Sequence, residues 1–230
     1  MKTIGLLGGM SWESTALYYR ILNEEVKTAL GGLHSARVVL YSLDFEEIEK
    51  LQSAGRWDEA GIQLAQAAQA LARAGADFLV LATNTMHKVV PQIQQAVAIP
   101  LLHIADATAE RIREDGLKKV GLIATRFTME EAFYRGRLTD DYGLEVVTPD
   151  QEDRNLIHQV IYQELCQGIV NPDSRERFRE IMARLTAQGA EGIILGCTEI
   201  TMLVTAEDAS VPLFDTTQIH AQRAVQRALP

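Results

Sequence analysis

Two short segments carry side chains able to move a proton or hold an anion. Gly196-Cys197-Thr198-Glu199 follows the apolar run Ile193–Leu195, and Thr83-Asn84-Thr85 follows the run Phe78–Leu81. A thiol accepts a proton only as thiolate, and an unperturbed cysteine, with a pKa of about 8.5, is only a few per cent ionised at neutral pH. The neighbouring hydroxyl and amide groups suit a carboxylate. Both following segments read as helical, which places the motifs at helix N-termini, where free N–H groups and the positive dipole end favour an anion and lower a thiol pKa. Taken singly, Thr85 and Thr198 fit helix caps equally well, and Cys197 fits a buried small apolar residue. Their matched positions in the chain weigh for function.

That match is part of an internal repeat. Lys2–Gly9 resembles Lys118–Thr125, Gly75–Thr83 resembles Gly189–Cys197, and Ile99–Leu102 resembles Val211–Phe214, at offsets of 116, 114 and 112 in chain order. Three similarities in register argue for duplication. Each half alternates short β-rich runs (Val38–Tyr41, Phe78–Leu81, Val120–Ile123, Ile193–Leu195) with amphipathic stretches such as Glu59–Ala74 and Ser174–Ala187, which end near Gly75 and Gly189. Continuous apolar runs between helices imply parallel strands covered on both faces. The expected fold is α/β: two similar doubly wound parallel-sheet domains related by a pseudo-twofold axis, with the active site in the cleft between them. Residues 1–103 with 214–230 are expected to form the first domain and 104–213 the second. Ligands of such sheets bind beyond the carboxyl ends of the strands, where both motifs fall.

Composition narrows the function. The net charge of −9 comes with no Lys/Arg block, which argues against a nucleic-acid partner. No apolar run approaches the roughly 18 residues of a membrane span, and the N-terminal apolar stretch is read as a strand rather than a signal, so a cytoplasmic protein is expected. Two cysteines make a disulfide framework improbable, and no Cys/His spacing points to zinc. Gly5-Leu6-Leu7-Gly8-Gly9 lacks the spacing of a dinucleotide fingerprint, and no P-loop is present.

The paired motifs resemble those of the aspartate/glutamate racemase superfamily, in which Cys-Asn-Thr follows one strand and Gly-Cys-Thr-Glu the equivalent strand of the other half. Here they read Thr83-Asn84-Thr85 and Gly196-Cys197-Thr198-Glu199, with Gly8-Gly9-Met10 ending the first strand. The resemblance covers essentially the whole chain and is nearest to the bacterial members with Thr at the first position, which act on L-substrates. It implies a cofactor-independent racemase of L-aspartate, L-glutamate and related small amino acids, with no metal, working as a homodimer. Cys197 would remove the α-proton of the L-enantiomer and Thr83 would return one on the opposite face. Met10, Gln52, Asn84, Thr85, Thr125, Cys166 and Thr198 would bind substrate.

The chain departs from that pattern in two ways. Thr83 replaces a thiol, and a hydroxyl is a poor base although it can hand a proton to a carbanion. The Arg and Lys that hold the distal carboxylate in related archaeal enzymes are missing: Gln52 and Cys166 stand near those positions, and both are neutral. Cys166 also fits an ordinary place on an amphipathic helix, Leu156–Leu165. Three further residues draw notice: Ser11 is expected as an N-cap, Arg126 as an exposed helix-start residue, and His87, one turn after Thr83, as structural rather than a spare base. Two other functions suit the scaffold. One is a single-thiol decarboxylase or isomerase of small dicarboxylic acids, which would lack the proton-bearing group at Thr83. The other is a binding protein, which would call for a secretion signal.

Overall fold

A computed structural model describes all residues, Met1–Pro230. Met1–Ile104 with His220–Pro230 make one compact unit, and Ala105–Ile219 make the other. In the first, strands β1 (Ile4–Gly8), β2 (Val38–Ser42), β3 (Phe78–Leu81) and β4 (Leu101–Leu102) form a parallel sheet in the order β2-β1-β3-β4. In the second, β5 (Lys119–Ala124), β6 (Glu145–Val147), β7 (Gly192–Gly196) and β8 (Leu213–Asp215) form a parallel sheet in the order β6-β5-β7-β8, the same order four strands on. The chain rejoins the first unit at His220 rather than at residue 214, because Leu213–Asp215 pairs with β7 and so belongs to the second sheet.

The central strands β1, β3 and β7 are buried throughout and β5 from Val120 onward, as their apolar runs require, while β2 and β6 lie at the edges and are partly exposed. In the first unit, alternate strand residues feed two cores. Leu7, Leu79 and Leu81 pack with residues of α2 (Phe45–Ser53), α3 (Trp57–Arg73) and α4 (Val90–Ala96). On the other face, Ile4, Leu6, Phe78 and Val80 pack with Tyr18, Leu22 and Val26 of α1 (Trp12–Leu30) and with Ala221, Ala224 and Val225 of α11 (Thr216–Ala228). α3 shows why the local sequence folds as it does. Ala60, Leu64, Ala67, Ala68 and Leu71 make one buried stripe, acidic residues occupy the first turn, and Arg73 sits in the last. α9 (Pro172–Ala187) buries Ser174, Phe178, Ile181 and Leu185 in the same way, with Pro172 at its start and Asn171 capping it.

The duplication extends to single hydrogen bonds. After each of these helices a left-handed glycine, Gly75 or Gly189, turns the chain. An acidic residue two positions on then hooks the start of the first strand: Asp77 accepts from the Thr3 N–H at 2.6 Å, and Glu191 from the Lys118 and Lys119 N–H groups at 2.7 and 3.0 Å. Those donors hold the Glu191 carboxyl below its usual range. Likewise, the Leu79 and Ile193 N–H groups each donate to the carbonyl of the matching proline, Pro100 or Pro212, at 2.9 Å. No helix is long and apolar enough to cross a membrane.

Candidate active site

In the first unit, two connections shape the carboxyl edge of the sheet. After β1 the chain turns through Gly9 with φ of 89°, where a Cβ atom would come within 2.2 Å of the Leu43 carbonyl oxygen. Glycine is therefore required for close backbone approach as well as for the dihedral. Thr15 secures the turn: its Oγ1 accepts from the Gly9 N–H at 2.7 Å and donates to the Ser11 carbonyl at 2.8 Å. Ser11 caps α1 as expected, its Oγ accepting from the Ser14 N–H. Met10 is buried, and its side chain joins the apolar cluster containing Leu7, Ile48 and Leu51.

After β3 the chain bends at once. The Thr83 N–H donates to the Leu81 carbonyl at 2.9 Å, and the Thr83 carbonyl lies 2.7 Å from His87 Nδ1. Thr83, Asn84 and Thr85 are all buried, and Thr85 opens a 3₁₀ turn, Thr85–Val89. Gln52, buried on α2, reaches this corner from the side, its Nε2 2.9 Å from the Met86 sulfur. Gln52, expected at the site from the family resemblance, thus touches Met86, the residue that follows the Thr83-Asn84-Thr85 motif.

In the second unit, Thr125 follows β5 and begins α6 (Arg126–Glu130), its Oγ1 3.2 Å from that of Thr128; Arg126 is an exposed helix-start residue. Helix α8 (Gln151–Gln163) stops before Cys166, which instead occupies a 3₁₀ turn, Leu165–Gln167, closed by left-handed Gly168. The amphipathic-helix reading of Cys166 therefore gives way to a turn, partly exposed and close enough to Cys197 for the two thiols to interact electrostatically.

The end of β7 brings a thiol, a hydroxyl and a carboxyl group together. Cys197 Sγ donates to Glu199 Oε2 at 3.0 Å, and Thr198 Oγ1 donates to the same oxygen at 2.6 Å. All three side chains are buried. Burial pushes the Cys197 thiol well up, and the Glu199 charge, the nearby Cys166 and the hydrogen bond to Glu199 push it further. The expected lowering by a helix N-terminus is overturned. The helix that follows, α10 (Ile200–Leu203), has four residues, and the turn after Thr83 is a five-residue 3₁₀ segment. Neither supplies the aligned peptides a sizeable dipole needs. At rest Cys197 is a protonated thiol with a carboxylate in proton-transfer range.

Glu199 is the residue whose part the sequence reading missed. It stands in the motif two residues after the thiol, and that spacing is the available signal. Asp215, at the end of β8, serves as a helix cap: its Oδ1 accepts from the Thr217 and Gln218 N–H groups at the start of α11, and burial raises its carboxyl above the usual range.

A family model described as Asp/Glu/Hydantoin racemase matches residues 7–224. The solved structure of a candidate Asp/Glu racemase from Yersinia pestis is similar over 100% of both chains, with 57% identity and a TM-score of 0.94. An aspartate racemase homologue from Pyrococcus horikoshii OT3 aligns over 99% of each chain, with 36% identity and a TM-score of 0.84. Among curated proteins, the broad specificity amino-acid racemase RacX of Bacillus subtilis is 24% identical over 98% of each chain.

Proposed function

Since the chain belongs to the Asp/Glu/hydantoin racemase family, we propose that it racemises small amino acids, L-aspartate and L-glutamate among them, with its own side chains and no cofactor. The observation that carries this reading is the Cys197 thiol 3.0 Å from a buried Glu199 carboxylate oxygen that also accepts from Thr198. In the proposed cycle Glu199 takes the thiol proton as the substrate ammonium arrives, because that positive charge favours the thiolate. The thiolate then abstracts the α-proton of the L-enantiomer and becomes a thiol again. Thr83 delivers a proton to the opposite face and is reprotonated from water, giving the D-enantiomer. Glu199 returns its proton to solvent. Asn84 and Thr85 supply donors for the α-carboxylate, and Thr198 joins them when its hydroxyl proton turns from Glu199 to the substrate. Gln52 and Cys166, both neutral, leave the distal carboxylate without a cationic partner, so acidic substrates are preferred only modestly.

The test is a screen of common L-amino acids in heavy water, read by NMR. Loss of the α-proton signal with aspartate, glutamate or homoserine supports the reading. CO₂ release from small dicarboxylic acids without any amino-acid exchange would overturn it in favour of a single-thiol decarboxylase.

A further inference from the structure

We infer that His87 is a positioning residue that fixes the proton-donating face by holding Thr83 through its main chain; the inference rests on the racemase reading above. His87 is buried in the 3₁₀ turn after Thr83, and two main-chain groups address its ring nitrogens. Nδ1 lies 2.7 Å from the Thr83 carbonyl oxygen, and Nε2 accepts from the Ile104 N–H at 3.1 Å. A carbonyl can only accept and an N–H can only donate, so the ring carries its proton on Nδ1 and keeps Nε2 bare. A base at Nε2 would need the lone pair that Ile104 occupies. His87 therefore does not serve as a second proton-transfer group.

The imidazole instead ties the end of β3 to the corner where β4 passes into α5 (Ile104–Glu114). That corner is held in turn. The Leu102 carbonyl accepts from His220 Nε2 at 3.0 Å, and His220 Nδ1 accepts from the Tyr18 hydroxyl at 2.9 Å. The His103 and His220 rings lie 4.4 and 6.0 Å from that of His87 and confine it. With its N–H on the Leu81 carbonyl and its carbonyl on His87, Thr83 has both main-chain groups occupied, which fixes the direction of its Cα–Cβ bond. A hydroxyl that must deliver a proton in one direction needs that constraint, because a misplacement of about 1 Å can lower a rate about a hundredfold.

The experiment follows α-proton exchange and inversion of L-aspartate in heavy water for the unmodified protein, His87→Phe, His87→Gln and, for comparison, Thr83→Ala. His87→Phe keeps a ring but loses donor and acceptor. Inversion is expected to fall about a hundredfold, as in Thr83→Ala, while exchange through Cys197 stays within about threefold, so the exchange-to-inversion ratio rises. A purely structural loss would lower both rates together and leave that ratio unchanged, overturning the inference. His87→Gln presents a donor and an acceptor from one planar group and is expected to recover most of the inversion. If a folded His87→Gln inverts as poorly as Thr83→Ala, the inference fails, whether or not His87→Phe folds. ¹⁵N NMR of the unmodified protein supplies a readout independent of activity. A proton on Nδ1 is expected, and one on Nε2 would overturn the assignment. If no L-amino acid exchanges, the racemase reading fails, while the tautomer still decides whether His87 holds Thr83.

Discussion

Replacing Glu199 with glutamine removes one charge and leaves the side chain's shape. The amide oxygen can still accept from Thr198 and Cys197, so the fold around β7 should survive, weakened by the loss of the charge assistance, about 1–2 kcal/mol. Two activities should then move in opposite directions. The carboxylate lies 3.0 Å from Sγ, within the 2.6–3.2 Å reach of a general base, and general-base contributions run to about 100- to 10,000-fold. The kcat/KM for L-aspartate should therefore fall by that range, equivalent to about 3–5 kcal/mol of transition-state stabilisation. The free thiol should become easier to ionise, because the Glu199 charge is the largest cause after burial of its raised pKa. Iodoacetamide should alkylate Cys197 in Glu199→Gln faster at neutral pH than in the unmodified protein. In both proteins burial keeps the thiol above its ordinary range, so the alkylation rate should still be climbing past about pH 8.5, where an ordinary cysteine is half ionised. Catalysis retained within threefold, or alkylation slowed by the substitution, would refute the Cys197–Glu199 assignment.

Other substitutions probe other parts of the site and fold. Thr83→Cys should move the protein toward symmetric exchange: the unmodified protein is expected to exchange the L-substrate faster than it inverts it and barely to exchange D without inversion, and equal exchange of both enantiomers by the unmodified protein would contradict this. Cys166→Lys should raise the preference for aspartate and glutamate over homoserine by roughly ten- to hundredfold, the worth of one charge-assisted hydrogen bond; unchanged kcat/KM ratios would count against neutral recognition of the distal group. Thr15→Val keeps the side-chain shape but leaves the Gly9 N–H without its acceptor, at about 1–3 kcal/mol, while the Ser11 carbonyl keeps the Thr15 N–H. Calorimetry should show a Tm lower by roughly 2–12 °C, and a shift under about 1 °C would mean the turn does not depend on that bond.

Much of the fold was legible because its signals are local and repeated. The apolar runs ending at Leu81 and Leu195 are short and uninterrupted, as buried parallel strands demand, and the repeat doubled every clue. Pairing of Asp77 with Thr3 and of Glu191 with Lys118 and Lys119 shows that even exposed acidic residues in the repeat have matching partners. What failed was the length of the helices behind the motifs. Sequence periodicity shows that a segment is helical, but four residues at Ile200–Leu203 and a 3₁₀ turn at Thr85–Val89 differ from long helices only through tertiary contacts. The sign of the Cys197 shift followed from that error. The Glu199 contact was illegible for another reason: two residues apart in a turn, a thiol and a carboxylate can meet or diverge, and only the backbone geometry decides. The sequence argues against His87 as a base, yet its partners, Thr83 four residues back and Ile104 seventeen ahead, depend on how β3 and β4 end.

The most direct test of the central claim is α-proton exchange of L-aspartate and L-glutamate in heavy water, measured by NMR on the unmodified protein and on Cys197→Ala with fold checked by circular dichroism. Exchange by the unmodified protein is expected, with none above the uncatalysed rate in Cys197→Ala. A folded Cys197→Ala protein that still exchanges the α-proton would contradict the assignment of Cys197 as the base.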